Sequence, residues 1–245
     1  MDHTEKIKCP KCQPPHNPKD RPLSLTTTDN GTKAVWNCHH CGYSGSLNTD
    51  GAVSFRPNAM KHSWNPEGNN LQNKFLDDYF IGRSISRETY KAFKVHSSND
   101  EKWICFPYNP NNKEADSIKY RTPDKQFKQS KNGKKSLYNY DRVKNAQTVI
   151  FVEGEIDVLS LFEVGFENAT TLQDGAPAKI SFKENDKRFQ ALQSHPLKAS
   201  KIILFVDKDG AGENLNKELL HRFGKDICWY VETPDDCKDA NDVLC

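Results

Sequence analysis

The sequence predicts an α/β domain built on a mostly parallel sheet, preceded by an α+β segment and a small all-β module bounded by cysteines. Three observations carry this. From residue 148 onward, short apolar runs alternate with helical stretches. Before that, two strand-like runs flank a polar loop after a short helix. Near the N-terminus, four of the eight cysteines stand in two C-x-x-C pairs. Strands alternating with helices form parallel sheets, and adjacent strand-like runs joined by a turn form hairpins.

The first module covers residues 1–45. Cys9 and Cys12 form "CPKC", Cys38 and Cys41 form "CHHCG", and 25 residues separate the pairs. Four thiolates on two tight knuckles suit one tetrahedral zinc ion, and a closed four-ligand site is structural rather than catalytic. Between the pairs, "PLSLTTT" and "TKAVWNC" flank Asp-Asn-Gly, which predicts a hairpin. Lys33, Trp36 and His39 offer phosphate contact and stacking for single-stranded bases. Packing of the module's own small core explains Trp36 equally well. Residues 46–70, rich in Asn, Pro and Gly, read as a linker anchored by Phe55 and Trp64.

Residues 71–145 contain "SRETYKAFKV", a short helix capped by Ser86, then "WICFPY" and "DSIKYRT" around "NPNNKEA", a hairpin. The stretch 113–144 holds ten Lys and Arg against four Asp and Glu. Lys119 and Arg121 share a strand face, and Lys125 and Lys128 follow them. Such a basic strip suits a polyanion, although charge runs commonly serve only solvation. "NGKK" resembles part of a phosphate-binding loop, but the glycine that loop needs is replaced by Lys128. No ATP-driven motor is therefore expected.

Residues 146–245 read as "TVIFVE" (strand), "IDVLSLFEVG" (helix), "ATTLQDG" (strand), a helical stretch near 183–194, "KIILFV" (strand), "GENLNKELLHRFG" (helix) and "DICWYVET" (strand). Ligands of parallel sheets gather at the C-terminal strand ends. "VEGE", "LQDG" and "DKDG" all fall there. Glu155 and Asp157 open a helix, where the dipole favours acids, but Glu153 lies outside that explanation. Asp207 and Asp209 admit a turn or helix-cap reading. With Glu153 and the acids of "DDCKDANDVL", they more readily form a site for a hard divalent cation.

The set "VEGE-D", "DKDGAG" and "KDAND-L" resembles the Toprim domain of primases and topoisomerases. With the four-cysteine ribbon before it, the chain resembles the primase half of phage-type primase-helicases. "YFIGRSISRETYKAFKV" and "IKYRTPDKQF" are similar to that family's lead-in to the polymerase core and its basic motif. The resemblance implies a Toprim-like sheet (146–245), an N-terminal subdomain of an RNA polymerase core (71–145) and a zinc ribbon. It implies RNA primer synthesis on single-stranded DNA from ribonucleoside triphosphates, with Mg²⁺ or Mn²⁺ and with a replicative helicase, fused or separate. By motif, Glu153, Asp207 and Asp209 are catalytic and bind the metal together with Asp239. Lys119, Arg121, Lys125 and Lys128 contact template or triphosphate. Asp174 departs from the family's glycine-rich turn.

Two other classes remain open on sequence: a Toprim topoisomerase or nuclease, and a non-catalytic DNA-binding module. Net charge is only +2, mean hydropathy is −0.84, and no apolar run approaches the roughly 20 residues of a membrane span. No secretory signal is evident, so a cytoplasmic location (a host's cytoplasm if the gene is a phage's) is the expectation.

Overall fold

The computed structural model describes residues 3–10, 23–28, 32–39, 44–48, 53–56, 62–63, 73–110 and 114–245. The chain divides into two compact units, Met1–Met60 and Lys61–Cys245. No helix among the described residues is long and apolar enough to cross a membrane.

In the first unit, β1 (His3–Ile7), β2 (Leu23–Thr28), β3 (Lys33–Cys38), β4 (Ser44–Asn48) and β5 (Val53–Arg56) form one antiparallel sheet in chain order. The expected hairpin is β2–β3, with Leu23 opposite Cys38 and Thr28 opposite Lys33. The segment read as a linker contributes most of β4 and all of β5. The two strands pair with Leu47 opposite Val53.

The second unit begins with β6 (His62–Ser63). Then come α1 (Lys74–Ile81) and α2 (Arg87–Ala92), capped by Asn73, which accepts from the Leu76 amide at 3.0 Å, and by Ser86, which accepts from the Thr89 amide at 3.2 Å. Strands β7 (His96–Ser97), β8 (Ile104–Tyr108), β10 (Ser117–Arg121) and β11 (Phe127–Gln129) make an antiparallel sheet, while β9 (Glu114–Ala115) pairs with β6. The β8–β10 hairpin is the one expected from sequence.

After α3 (Tyr140–Val143) the chain alternates: β12 (Thr148–Val152), α4 (Glu155–Glu163), β13 (Ala169–Thr170), α5 (Gln190–Ser194), β14 (Lys201–Phe205), α6 (Gly210–Phe223), β15 (Cys228–Tyr230) and α7 (Ala240–Leu244). The sheet runs β13-β12-β14-β15 and every pairing is parallel. Both faces are covered, so β12 and β14 read as continuous apolar runs. Val149, Phe151, Ile202 and Leu204 pack toward Leu215 and Leu219 of α6. Ile150 and Val152 pack toward α4 and toward Phe80, Tyr90, Phe93, Phe106 and Tyr138 from the preceding segment. That shared aromatic core makes 73–245 one body, so the hairpin sheet is fixed against the edge where the parallel strands end.

Candidate active site

The C-terminal ends of β12, β14 and β15 lead to Glu153, to Asp207 and Asp209, and to Lys238 and Asp239. Glu153, Asp207 and Asp239 line one side of a cleft of about 430 Å³, a volume in the range of ordinary ligand sites. Lys119, Arg121 and Lys125 line the same cleft from β10 and the turn after it. An acidic wall thus faces a basic one.

Glu153 Oε2 is buried and has no hydrogen-bond partner among the described residues. Burial, and then Asp207 and Asp209 beside it, push its carboxyl up to about 7. Burial dominates at Asp207 too and raises its pKa although Lys238 opposes. Asp157 is held at the start of α4, where it accepts from the Gly154 amide at 3.1 Å. Burial, then Asp239 and Asp207, push it up to about 8. Carboxyls crowded so that each resists ionisation gain most from an added cation.

Lys238 supplies a cation of its own. Its Nζ lies 2.9 Å from Asp207 Oδ2 and 3.3 Å from Asp209 Oδ2. Among the described residues, no three acids, histidines or cysteines converge as a ready-made cage for an ion, and this ammonium occupies the place between the two aspartates. The donor set still fits a hard divalent cation. Glu153, Asp207 and Asp239 line one cleft with Asp209 beside Asp207, all offering oxygen, and Lys238 is half exposed on a flexible stem.

Asp209 also fulfils the bland reading of "DKDG". It caps α6, accepting from the Ala211 and Gly212 amides at 2.9 and 3.0 Å, and the Gly212 amide is the main reason its pKa is lowered. Asp239 likewise caps α7, accepting from the Asp242 amide at 2.8 Å. Gly212 is required by close approach, because a Cβ there would lie 2.1 Å from the Asp207 carbonyl oxygen. Lys208 points away from the cleft, donating to the Thr233 and Pro234 carbonyls at 2.7 and 2.6 Å. It ties the Asp207 loop to the loop carrying Lys238.

The basic strip divides. Lys119 is buried and ion-paired with Glu155 at 2.9 Å, and Tyr108 donates its hydroxyl to the same carboxylate. Lys128 does not join Lys119 and Arg121. It sits opposite Tyr120 in the β10–β11 register, on the other face, with its Nζ 3.9 Å from the Trp103 ring centroid. Strand alternation dictates this, since even positions face away from the cleft. Asp174 accepts from Gln129 at 2.9 Å and pairs with Lys135, pinning the "LQDG" turn to the hairpin.

Among the cleft residues that the sequence reading did not single out are Arg83, Phe127, Asn241 and Lys238. Asn241 accepts from Arg83 Nη1 at 3.1 Å and donates to the Arg83 carbonyl and Ser160 Oγ, both at 2.9 Å. Asn241 and Lys238 lie within "KDAND", where attention to the acids hid them.

In the first unit, Cys9 and Cys38 are buried together with Leu23. Cys12 and Cys41 lie outside the described residues. Half-buried Trp36 packs against this cluster, Lys33 is half-buried and His39 is exposed.

Comparison with known proteins agrees with this fold. Residues 150–244 match a family described as Toprim-like. Two proteins of Arabidopsis thaliana are each 35% identical over 96% of this chain: a Twinkle homolog protein, chloroplastic/mitochondrial, and a primase homolog protein. The chain spans 36% of the length of the first and 75% of the second. The primase fragment of the bacteriophage T7 primase-helicase protein is similar in fold, at 22% identity and a TM-score of 0.53, covering 97% of this chain and 92% of that one. So is the Aquifex aeolicus primase (zinc-binding and RNA polymerase domains), at 12% identity and a TM-score of 0.54, covering 98% and 75%. Fold and cleft together define a Toprim protein. Within that class, the chain belongs to the family of Toprim-type primases that resemble the primase half of phage primase-helicases.

Proposed function

We propose that this chain is a DNA primase that makes short RNA primers on single-stranded DNA from ribonucleoside triphosphates. The observation that carries the reading is the cleft, where crowded strand-end carboxylates face a basic hairpin in a Toprim fold. Mg²⁺ or Mn²⁺ held by Asp207, Asp209 and Asp239 would supply charge stabilisation for the triphosphate. The 3′-hydroxyl oxygen attacks the α-phosphorus, the bond to the bridging oxygen breaks, and pyrophosphate leaves. Arg121 and Lys125 orient phosphates from the opposite wall. Glu153, whose Oε2 has no partner among the described residues, would either accept the hydroxyl proton or ligate a second ion. Such phosphoryl transfer depends on positioning and electrostatics.

The four cysteines hold one structural zinc ion, and the ribbon contributes template choice through Lys33, Trp36 and His39. Similarity in fold to the primase fragment of the T7 primase-helicase protein supports a replicative helicase, fused or separate, as partner. The expected cytoplasmic location rests on sequence alone. A template-directed assay with labelled ribonucleotides and Mg²⁺ tests the proposal: short RNA products support it. Binding of single-stranded DNA without products would point to a non-catalytic module, and cleaved or relaxed DNA to another Toprim enzyme.

A further inference from the structure

Cations and aromatic rings alternate along one side of the cleft. The Arg83 guanidinium lies 4.9 Å from the Tyr79 ring centroid. The Arg121 guanidinium lies 6.0 Å from that ring and 5.5 Å from the Phe127 ring, and Lys119 Nζ is 5.5 Å from Phe127. Both ends are anchored, Arg83 to Asn241 at 3.1 Å and Lys119 to Glu155 at 2.9 Å. The middle of the series is incomplete, because Arg121 Nε is buried without an acceptor among the described residues.

Among the exposed large apolar side chains of the described residues, Phe127, 53% exposed, is the one that lines the cleft. The β10–β11 register sets it directly opposite Arg121, so its position beside that guanidinium is fixed by backbone pairing. The opposite face of the same sheet already has an apolar cluster, with Trp103 and Tyr120 against Cys105 and Ile118. A one-residue slip would have hidden the phenyl ring there. An apolar ring held half in water within a basic wall is an open surface that a ligand can cover. The ligand must present a flat π face beside an anion, which is the chemistry of a nucleotide.

We propose that Phe127 is a stacking platform for a nucleobase whose adjoining phosphate accepts from Arg121. The inference rests on the nucleotide-binding reading of the cleft and adds the residue that reads the base. The base has two sources, a ribonucleoside triphosphate or the single-stranded template, and stacking on either uses the same ring. Phe127 would then set how strongly the cleft prefers purines, whose larger π face stacks better, without a hydrogen-bond code.

The test uses the full chain with Phe127→Ala, Phe127→Leu and Phe127→Trp, each checked by thermal melt. Binding is measured for MgATP against magnesium tripolyphosphate, and for a single-stranded oligonucleotide against the same backbone with abasic sites. Phe127→Ala should weaken binding of the base-bearing member of at least one pair by about tenfold and leave its baseless partner unchanged. Phe127→Leu should behave like Ala, because volume without a π face does not restore stacking. Phe127→Trp should retain affinity, and its added emission should be quenched by the base-bearing ligand alone. The affected pair identifies the source. Equal loss for base-bearing and baseless ligands, no loss in either pair, or full rescue by leucine overturns the inference. These outcomes are separate from primer synthesis by the wild-type chain, whose absence would sink the enzyme reading and leave base stacking standing.

Discussion

Lys238 Nζ bridges Asp207 and Asp209, 2.9 Å from the one and 3.3 Å from the other, where a divalent cation would sit. The aspartates raise the lysine's pKa well above its usual range, with the Asp207 hydrogen bond the largest cause. An ammonium and a metal ion cannot share this position, so metal entry requires Lys238 to swing aside. Lys238→Met should therefore lower the metal-free melting stability by about 1 kcal/mol. The same variant should tighten Mn²⁺ binding several-fold by calorimetry. Weaker metal binding would show that Lys238 assists the ion instead of competing with it.

The metal-free protein should lose stability as pH rises. Glu153 and Asp157 are raised to about 7 and about 8, above the ordinary carboxylate range near 4. The folded state then binds more protons than the unfolded one between about pH 4 and pH 8, so unfolding becomes easier across that window. Urea melts in EDTA should show a lower midpoint at pH 8 than at pH 5.5, from these groups. Mg²⁺ should recover more stability at pH 8. An equal Mg²⁺ effect at both pH values would contradict the assignment.

Gly212→Ala should be severe. Its new Cβ meets the Asp207 carbonyl oxygen at 2.1 Å, so the start of α6 must shift and the Asp209 cap is disturbed. A loss of roughly 2 kcal/mol or more is expected, with weakened Mn²⁺ binding. A melt within a degree of wild type would refute the close approach.

The two lysines of the strip should part company. Lys125 lines the cleft with φ +67°, so Lys125→Asn removes the charge and keeps a residue that tolerates that backbone. It should weaken binding of single-stranded DNA or nucleotide and flatten its salt dependence by about one unit of slope. Lys128→Asn, on the opposite face, should leave the cleft's binding of nucleotide nearly unchanged. Similar losses from both would restore Lys128 to the site.

Cys38→Ser should release zinc and unfold the first unit while 73–245 stays folded. Retention of one zinc ion per chain would refute the ligand set.

Much of this was legible in the sequence because backbone chemistry is local. Buried parallel strands show as unbroken apolar runs, and the acids at their ends stand out against those runs. What stayed hidden depended on tertiary approach. Lys238 is one lysine among many until the loop held by Lys208 carries it to Asp207. Arg83 enters the cleft only because Asn241 grips it across the core. The face of Lys128 was not legible, since residues after a turn cannot be assigned a face until the register is known.

The most direct measurement is Asp207→Asn, assayed for template-directed primer synthesis with Mg²⁺ and melted without metal. Burial raises the Asp207 pKa despite Lys238, so ionisation there costs the folded state more than the lysine returns. The neutral isostere should melt at the same temperature or higher and make no primers. A variant that melts several degrees lower and still makes primers would show that Asp207 is a structural turn residue, and the metal-site account would fail.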